Sequence, residues 1–313
     1  MAAPGRLTAD PLGPYRERFR AATTGIEPPV VVGCSGGPDS VALVALACDA
    51  RLAPVAVHVD HGLRPGGDGE QAQVAAVAGV LGAAFDGRRV TLAPGANLEA
   101  RARDARYAAL ADARSAHVAS AVLVAHTDDD QAETVLLNVL RGSAASGLAG
   151  MAARRGTLVR PLLGFRRTET AAICAALGLA TLHDPMNDDD TFRRIAVRRR
   201  VLPLLEAVAG RDLVPVLARQ AELLRDESEF LDDLARAAWP TPGGATARAL
   251  ASLPIVLARR AIRVWLGPPP PSSAEVDRVL RVASGARRAT ELAGGRTVRR
   301  SSGRLVVYPA ATR

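Results

Sequence analysis

The stretch Val30-Val31-Val32-Gly33-Cys34-Ser35-Gly36-Gly37-Pro38-Asp39-Ser40 decides the fold, because it joins an apolar run to a glycine-rich turn. The apolar part predicts a buried strand, and residues 41–47 predict a helix. Two glycines let the backbone turn its N–H groups inward, and the helix N-terminus adds partial positive charge. Residues 35–40, the phosphate loop, are therefore predicted to hold an anion such as pyrophosphate. A strand-to-helix turn without a ligand is the alternative.

Asp39 lies inside the phosphate loop. A carboxylate repels bare phosphate, but a magnesium ion can bridge carboxylate and phosphate oxygens. Asp39 is therefore the predicted Mg²⁺ ligand.

Composition limits the class of protein. The 313 residues are 48% apolar and 3% aromatic, which is typical of a globular protein whose core consists of alanine, valine and leucine, and the length predicts roughly two domains. No run approaches the roughly 20 apolar residues of a membrane span, so we expect a cytoplasmic protein. The three cysteines, Cys34, Cys48 and Cys174, are odd in number, lie far apart and include no C-x-x-C pair. This pattern disfavours a disulfide framework, a cysteine zinc site or an iron–sulfur cluster.

The positive charge is unevenly placed. All 40 basic residues are arginine, which excludes a Walker-type loop with its lysine, and the formal net charge is +8. Residues 251–313 hold twelve arginines and three acidic residues. Arginine pairs with phosphate through a planar fork, so this segment predicts a polyanionic partner, with nucleic acid first. A GC-rich genome would explain the residue type but not its location.

Strand-like and helical stretches alternate through the first half of the chain. Strands are predicted at 30–34, 54–59, 89–92 and 121–125, with helices at 41–47, 70–81 and 98–113. This alternation predicts an α/β fold, a Rossmann-like doubly wound parallel sheet that binds ligands at the carboxyl ends of its strands.

The pattern changes after Arg200. Helices are predicted at 202–208, 213–238, 252–265 and 274–282, followed by a hairpin at 297–308. We place the domain boundary near Gly210. Residues 1–210 would form the catalytic domain, and residues 211–313 a helical spacer with a smaller mixed α+β domain that is basic.

The run Asp128-Asp129-Asp130-Gln131-Ala132-Glu133 begins a predicted helix. Acidic residues favour a helix start, so a capped N-terminus is the simple interpretation. Four carboxylates exceed what a cap needs, and Asp130 and Glu133 share a face because they are three residues apart. This acidic pair is predicted to hold a cationic substrate or a second metal.

Histidines and arginines supply further candidates. His58, His61 and His126 lie at the ends of predicted strands. Their spacing disfavours a zinc site, and such histidines more often orient a substrate or hydrogen-bond to backbone groups. Arg194 and Arg198 lie four apart on one side of a helix and could neutralise triphosphate charge or bind an RNA backbone, with a solvated basic face as the alternative. A helical face with Glu99, Arg103 and Arg106 has the same two interpretations.

Together these segments resemble the PP-loop ATP pyrophosphatases and, within them, the tRNA(Ile)-lysidine synthase family. The phosphate loop alone indicates only the wider group, whereas the ordered set over residues 28–206 is more specific. The other matching residues are His58-Val59-Asp60-His61-Gly62-Leu63-Arg64, Asn97-Leu98-Glu99, Arg103-Asp104-Ala105-Arg106-Tyr107, His126, Asp129-Asp130-Gln131-Ala132-Glu133-Thr134, Leu140-Arg141-Gly142-Ser143, Gly147-Leu148-Ala149-Gly150-Met151, Arg160-Pro161-Leu162-Leu163, Asp184-Pro185 and Asn187. The sequence departs from the family at Thr127, where a second histidine is usual, and at Phe192 and Ile195, where tyrosine and asparagine are common.

The resemblance implies a two-step ligation that uses ATP and Mg²⁺. ATP adenylates the C2 oxygen of the wobble cytidine in the isoleucine tRNA with a CAU anticodon, and free L-lysine then displaces AMP. The product, lysidine, pairs with A instead of G, so the tRNA reads AUA instead of AUG. The basic C-terminal domain would dock the tRNA.

The resemblance also implies roles for single residues. The nucleotide would be bound by Ser35, Gly36, Gly37, Pro38, Asp39, Ser40, His58 and Arg106. The catalytic set would be Asp39, Asp130, Glu133, His126, Arg194 and Arg198. Within it, the acidic pair would receive lysine, and Arg194 or Arg198 would stabilise charge on the α-phosphate.

Three other functions stay open at this stage. A tRNA thiolase of the same group would deliver sulfur, generally with paired cysteines that this chain lacks. A ligase acting on a small metabolite leaves the basic C-terminal domain unexplained, and a silent nucleotide-gated RNA-binding module leaves Asp39, Asp130 and Glu133 unexplained. The sequence does not decide whether the chain forms a homodimer.

Overall fold

The computed structural model describes residues 10–62, 67–92, 98–182, 192–239 and 246–309. Residues 183–191 and Asn97, whose motifs are named above, lie outside the described residues, as do Leu63, Arg64 and the side chain of Glu99. The first part of the chain contains α1 (Gly13–Ala22), β1 (Val30–Gly33), α2 (Pro38–Asp49), β2 (Pro54–Asp60), α3 (Gly67–Leu81), β3 (Ala84–Arg89), α4 (Leu98–Ala116), β4 (Ala121–Leu123), α5 (Asp128–Leu140), α6 (Ala145–Leu148), β5 (Arg154–Arg155), β6 (Leu158–Val159), α7 (Arg167–Ala176), α8 (Arg193–Ala196), a π-helical turn (Val197–Val201) and α9 (Leu202–Ala209).

The strands of this part form one sheet in the order β3-β2-β1-β4-β6-β5. All neighbouring pairs are parallel except the edge pair of β5 and β6. The chain moves outward from β1 to β2 and β3, and then returns to place β4 on the other side of β1. This reversal confirms the predicted doubly wound sheet, and it opens a crevice at the carboxyl ends of β1 and β4, where such folds bind ligands.

The two faces of β1 point into two different cores. Val30 and Val32 pack with residues of α2, α3 and α7 on one face of the sheet. Val31 packs with Leu110 and Ala113 of α4 on the other face. Successive strand residues point to opposite faces, so an unbroken apolar run is what a strand covered by helices on both sides requires.

The third strand lies earlier than predicted. It comprises Ala84–Arg89, whereas the sequence analysis placed it at residues 89–92. This strand lies at the edge of the sheet, where it accepts polar residues such as the half-buried Arg88 and the exposed Arg89. The more apolar run that follows begins where the pairing with β2 ends at Arg89.

The second part of the chain contains α10 (Val214–Ala238), α11 (Ala247–Ser252), α12 (Ile255–Leu266), α13 (Ser273–Ser284), β7 (Ala289–Glu291), β8 (Thr297–Ser301) and β9 (Arg304–Tyr308). The three strands form an antiparallel sheet. Ser302 and Gly303 both have positive φ, which gives the predicted hairpin the twist that its strands need. Ile262, Val276 and Val298 are fully buried in the hydrophobic core of this second part of the chain. The predicted smaller α+β architecture is therefore confirmed.

The chain divides into two compact units, Met1–Glu222 and Leu223–Arg313. The division falls within α10, later than the boundary we placed near Gly210. Leu213, Val214 and Leu217 pack with Ala132 and Leu136 of α5, which ties the start of α10 to the first unit. A functional division near Gly210 stays a proposal. In the described part of the chain, no helix combines the length and the apolar character needed to cross a membrane.

We expect Leu123→Ala to lower the free energy of unfolding by about 2–5 kcal/mol, since it leaves a cavity in the core. Leu123 is 0% exposed in β4. Leu140→Ala is the matched control, because Leu140 is 69% exposed at the end of α5, and we expect it to change stability by less than about 0.5 kcal/mol. Urea unfolding followed by circular dichroism measures both. Equal effects of the two substitutions would contradict the placement of β4 at the centre of the sheet.

Candidate active site

The phosphate loop connects β1 to α2 in the conformation that its glycines predict. Gly36 has φ +84°, and a Cβ atom added there would lie 2.3 Å from Leu182 Cδ1. The Leu182 N–H donates to the Gly36 carbonyl over 2.8 Å, so residue 182 covers the loop from one side. Gly37 is the N-cap of α2, and no side chain among the described residues caps this helix. The first N–H groups of α2 therefore remain free to bind an anion.

Side chains brace the phosphate loop from within and from β2. Ser40 Oγ donates to the Gly37 carbonyl over 2.9 Å and lies 3.3 Å from Ser35 Oγ. His58 is buried, and its Nδ1 lies 3.1 Å from the Cys34 carbonyl oxygen. A carbonyl only accepts hydrogen bonds, so His58 carries its proton on Nδ1. The structure thus brings the predicted nucleotide-binding residue His58 to the base of the phosphate loop.

Asp39 points from the first turn of α2 towards α7. Thr170 Oγ1 donates to Asp39 Oδ1, and Arg167 Nε lies 3.7 Å from Asp39 Oδ2. Burial raises the pKa of Asp39, and the hydrogen bond from Thr170 opposes this shift. A carboxylate next to a phosphate loop fits Mg²⁺, which prefers oxygen ligands and usually keeps positions for phosphate oxygens and water.

The N-terminus of α5 is capped, so the simple interpretation of the acidic run is confirmed in part. Thr127 and Asp130 form a capping box, in which Asp130 Oδ2 accepts from the Thr127 N–H over 2.9 Å. Asp128 Oδ1 accepts from the Gly164 N–H, and Asp129 Oδ2 accepts from the Arg167 N–H. Thr127, which departs from the family pattern, is thus the N-cap of α5. Asp128 and Asp129 hold the start of α7 in place.

Asp130 and Glu133 face the same group of guanidinium side chains, as their spacing predicted. Arg194 Nε lies 2.7 Å from Glu133 Oε2, and its Nη2 lies 3.0 Å from Asp130 Oδ1. Arg198 Nε lies 2.6 Å from Glu133 Oε1. Arg167 Nη2 lies 3.1 Å from Asp130 Oδ1 and 3.2 Å from Glu133 Oε1. These five residues form one carboxylate–arginine cluster, with Glu133 only 1% exposed.

The charges in this cluster stabilise one another. Burial disfavours the ionised form of Asp130, but Arg194 and Arg167 outweigh it and lower its pKa. Burial also disfavours the charged forms of Arg167 and Arg194, and the two carboxylates outweigh it and raise the pKa of each guanidinium. Asp130, Arg167 and Arg194 are therefore ionised at neutral pH.

Arg194 and Arg198 reach Glu133 in spite of the departures at positions 192 and 195. Arg194 belongs to α8, and Arg198 lies in the π-helical turn that follows it. Ile195, where the family commonly has asparagine, is buried. Single π-helical turns are frequent at functional sites.

His126 and Arg106 lie at the edge of the same site. The Nδ1 atom of His126 is buried and has no hydrogen-bond partner among the described residues. Burial lowers the pKa of His126 to about 3, with Asp130 opposing the shift, so His126 is neutral at pH 7. Burial also lowers the pKa of Arg106, and the nearby charge of Arg194 acts in the same direction. Within the described chain, no carboxylate forms an ion pair with Arg106.

Arg167 and Thr170 of α7 were not among the site residues predicted from the sequence. A signal for Arg167 existed, because an arginine in the first turn of a helix is electrostatically unfavourable without an acidic partner. Thr170 had no such signal, since only the packing of α7 against α2 brings it to Asp39. No group of three or more potential metal ligands occurs among the residues that the structure describes, and His58, His61 and His126 form no metal cluster there.

Comparisons with known proteins agree with this geometry. The PP-loop domain family matches residues 18–205, and the TilS substrate binding domain family matches residues 247–306. A tRNA(Ile)-lysidine synthase of Nocardia farcinica is 46% identical over 247 residues, which cover 77% of this chain and 76% of that protein. One of Mycolicibacterium paratuberculosis is 46% identical over 271 residues, which cover 85% of this chain and 82% of that protein.

A solved structure shows the same fold at low identity. The U34-tRNA thiolase NcsA from Methanococcus maripaludis superimposes with a TM-score of 0.55 and 17% identity, covering 67% of this chain and 78% of that one. This similarity extends to the fold alone, whereas the matches of higher identity cover both parts of the chain. With its phosphate loop and its carboxylate–arginine cluster at one edge of the sheet, the chain belongs to the tRNA(Ile)-lysidine synthase family of PP-loop proteins.

Proposed function

We propose that this chain is an ATP-dependent ligase that joins free L-lysine to C2 of the wobble cytidine in the CAU-anticodon tRNA(Ile). One observation carries the proposal beyond family membership. Arg167 contacts both Asp39 of the phosphate loop and the acidic pair Asp130 and Glu133, so the nucleotide site and the candidate lysine site adjoin. An activated base between them would meet both substrates. The tRNA substrate implies a cytoplasmic location.

In the first step, the phosphate loop would bind the pyrophosphate part of ATP while the C2 oxygen of cytidine attacks the α-phosphate. The N–H groups at the start of α2 and the hydroxyls of Ser35 and Ser40 would bind the phosphate oxygens. Mg²⁺ bound at Asp39 would neutralise charge on the departing pyrophosphate. We assign Arg106 and one arginine of the cluster to the α-phosphate, since positive charge aimed at the reacting phosphate stabilises the transition state.

In the second step, the lysine amine would form a bond to C2 as the C2–O bond to AMP breaks. At pH 7 the amine must first lose a proton, which costs about 4.6 kcal/mol for an unperturbed group. The lowered pKa of Asp130 and the pKa of about 3 of His126 make both weak bases. We assign recognition of the ammonium group to Asp130 and Glu133. Contact with the two carboxylates favours the ammonium form, so the amine would give its proton to solvent as it leaves them for C2.

The tRNA would be docked by the second part of the chain. Residues 247–306 match a substrate binding domain, and residues 251–313 carry twelve arginines and three acidic residues. Guanidinium contacts with phosphate release counterions, so tRNA affinity should fall steeply with salt.

The reaction itself is tested by incubating the protein with ATP, Mg²⁺ and the CAU-anticodon tRNA, with lysine, ammonia or a sulfur donor as the third substrate. We expect AMP to accumulate and lysidine to appear only with lysine. Nucleoside analysis of the tRNA and chromatography of the nucleotides measure the two products. Full AMP release without lysine would contradict the proposal, a thiolated base would indicate a thiolase, and tRNA binding without AMP would indicate a silent RNA-binding module.

We expect Asp39→Asn to slow pyrophosphate release by about 100-fold or more, because it removes the carboxylate that neutralises the leaving group through the metal. The affinity for tRNA should stay within about twofold, since tRNA docking is assigned to the second part of the chain. Asp112→Asn is the matched control, because Asp112 is exposed on α4. An equal loss of turnover and tRNA affinity would mean that Asp39 serves the structure of the phosphate loop.

Glu133→Gln keeps the size of the side chain but removes its charge, which leaves the three arginines facing Asp130 alone. The excess positive charge should repel the lysine ammonium, and a lost charged hydrogen bond is typically worth 1.5–3 kcal/mol. We expect kcat/KM for lysine to fall at least about tenfold more than kcat/KM for ATP. Steady-state assays with each substrate varied in turn measure the two ratios. A uniform decrease of both would assign Glu133 to the fold of the site instead of lysine recognition.

A further inference from the structure

One face of α7 follows the first turn of α2 along the edge of the phosphate loop. Arg167, Thr170 and Cys174 occur at helical spacing, so they share this face. Arg167 and Thr170 contact the carboxylate of Asp39, and Cys174 Sγ donates to the Pro38 carbonyl over 3.3 Å. Thr170 is 0% exposed. The contact is therefore part of the packed interior and is not a chance encounter of surface side chains.

The two oxygens of Asp39 have different partners on α7. Oδ1 accepts from the Thr170 hydroxyl, and Oδ2 faces Arg167 Nε at 3.7 Å. Thr170 Oγ1 also lies 2.8 Å from the Arg167 carbonyl oxygen, which accepts from the same hydroxyl, so the single proton of Thr170 is shared between the two acceptors. A carboxylate offers about four lone-pair sites, so these contacts fix its orientation and leave sites for a metal ion.

We propose that Thr170, supported by Arg167, is a positioning residue that orients the Asp39 carboxylate towards the magnesium ion of bound ATP. This inference rests on the proposed role of Asp39 as a metal ligand. Residues that hydrogen-bond to a metal ligand restrict its rotamers and commonly raise metal affinity. Thr170 would therefore act through Asp39, without touching ATP, lysine or tRNA.

Thr170 gives a cleaner test than Arg167. Arg167 also contacts Asp130 and Glu133, so its substitution would disturb the candidate lysine site at the same time. Among the residues that the structure describes, the side-chain hydroxyl of Thr170 has two partners, the Asp39 carboxylate and the Arg167 carbonyl oxygen. Thr170→Val removes the hydroxyl and keeps the shape of the buried side chain, while Thr170→Ser keeps the hydroxyl.

The test compares the affinity for ATP in the presence of Mg²⁺ and in the presence of EDTA, measured by titration calorimetry on the full chain. For the wild type we expect tighter ATP binding with Mg²⁺. Thr170→Val should lose about fivefold or more of this gain, which corresponds to the weakening of one charged hydrogen bond. Its affinity in EDTA should stay within about twofold of the wild type, and Thr170→Ser should retain the gain. Steady-state KM for lysine should not change in either variant.

Three results would overturn the inference. The first is a Thr170→Val variant with the full magnesium gain, and the second is an equal loss of ATP affinity with and without Mg²⁺, which would indicate a structural role. The third is a Thr170→Ser variant that behaves like Thr170→Val. Thr170→Ala serves as a second variant if Thr170→Val does not fold, and the same criteria apply to it.

Asp39→Asn separates this inference from the function on which it rests. Loss of the magnesium gain in Asp39→Asn but not in Thr170→Val would overturn the role of Thr170 alone. Retention of the gain in Asp39→Asn would overturn the metal role of Asp39 and, with it, this inference.

Discussion

The burial of Glu133 constrains the whole catalytic edge of the sheet. A carboxylate that is 1% exposed cannot stay ionised without close cationic partners, because burying an unpaired charge costs several kcal/mol. Its partners Arg167, Arg194 and Arg198 come from α7, α8 and the π-helical turn. Two stretches, α7 and the continuous run of α8 and the π-helical turn, are therefore drawn to the first turns of α5. Removing the carboxylate would leave three guanidinium groups with too little negative charge to hold them together.

Arg167 links this buried cluster to the phosphate loop. Three carboxylates, Asp39, Asp130 and Glu133, face three guanidinium groups, so the formal charges balance. A magnesium nucleotide or an ammonium group can enter a balanced set only if some of the ion pairs exchange partners. The arginine side chains are still 28–29% exposed, whereas Glu133 is buried. The arginine side chains are therefore the groups that can change ion-pair partners. They can turn towards phosphate while the carboxylates stay in place.

The parts of the site that local chemistry determines were predictable from the sequence. An apolar run predicts the strand before the phosphate loop, and the glycines predict the loop itself. The acidic residues predict the N-terminus of α5. Asp130 fits both interpretations of that terminus, since Oδ2 completes the capping box and Oδ1 pairs with arginine. The partners of Arg194 and Arg198 were not predictable, because helical spacing fixes which side a residue faces but not what lies opposite. Thr170 is the extreme case, since its contact with Asp39 depends wholly on tertiary packing.

The lack of lysine in all 313 residues has a chemical consequence for this site. An adenylated cytidine is an electrophile that any nearby neutral amine could attack. Arginine keeps its proton at every physiological pH, so the guanidinium groups around the acidic pair are not nucleophiles. In the proposed reaction they would supply positive charge for phosphate without adding a second reactive amine. Because this chain contains arginine and no lysine, none of its own side chains carries an amine that could attack the activated base. The side-chain amine that can react is then that of the substrate, whatever the genomic cause of the composition.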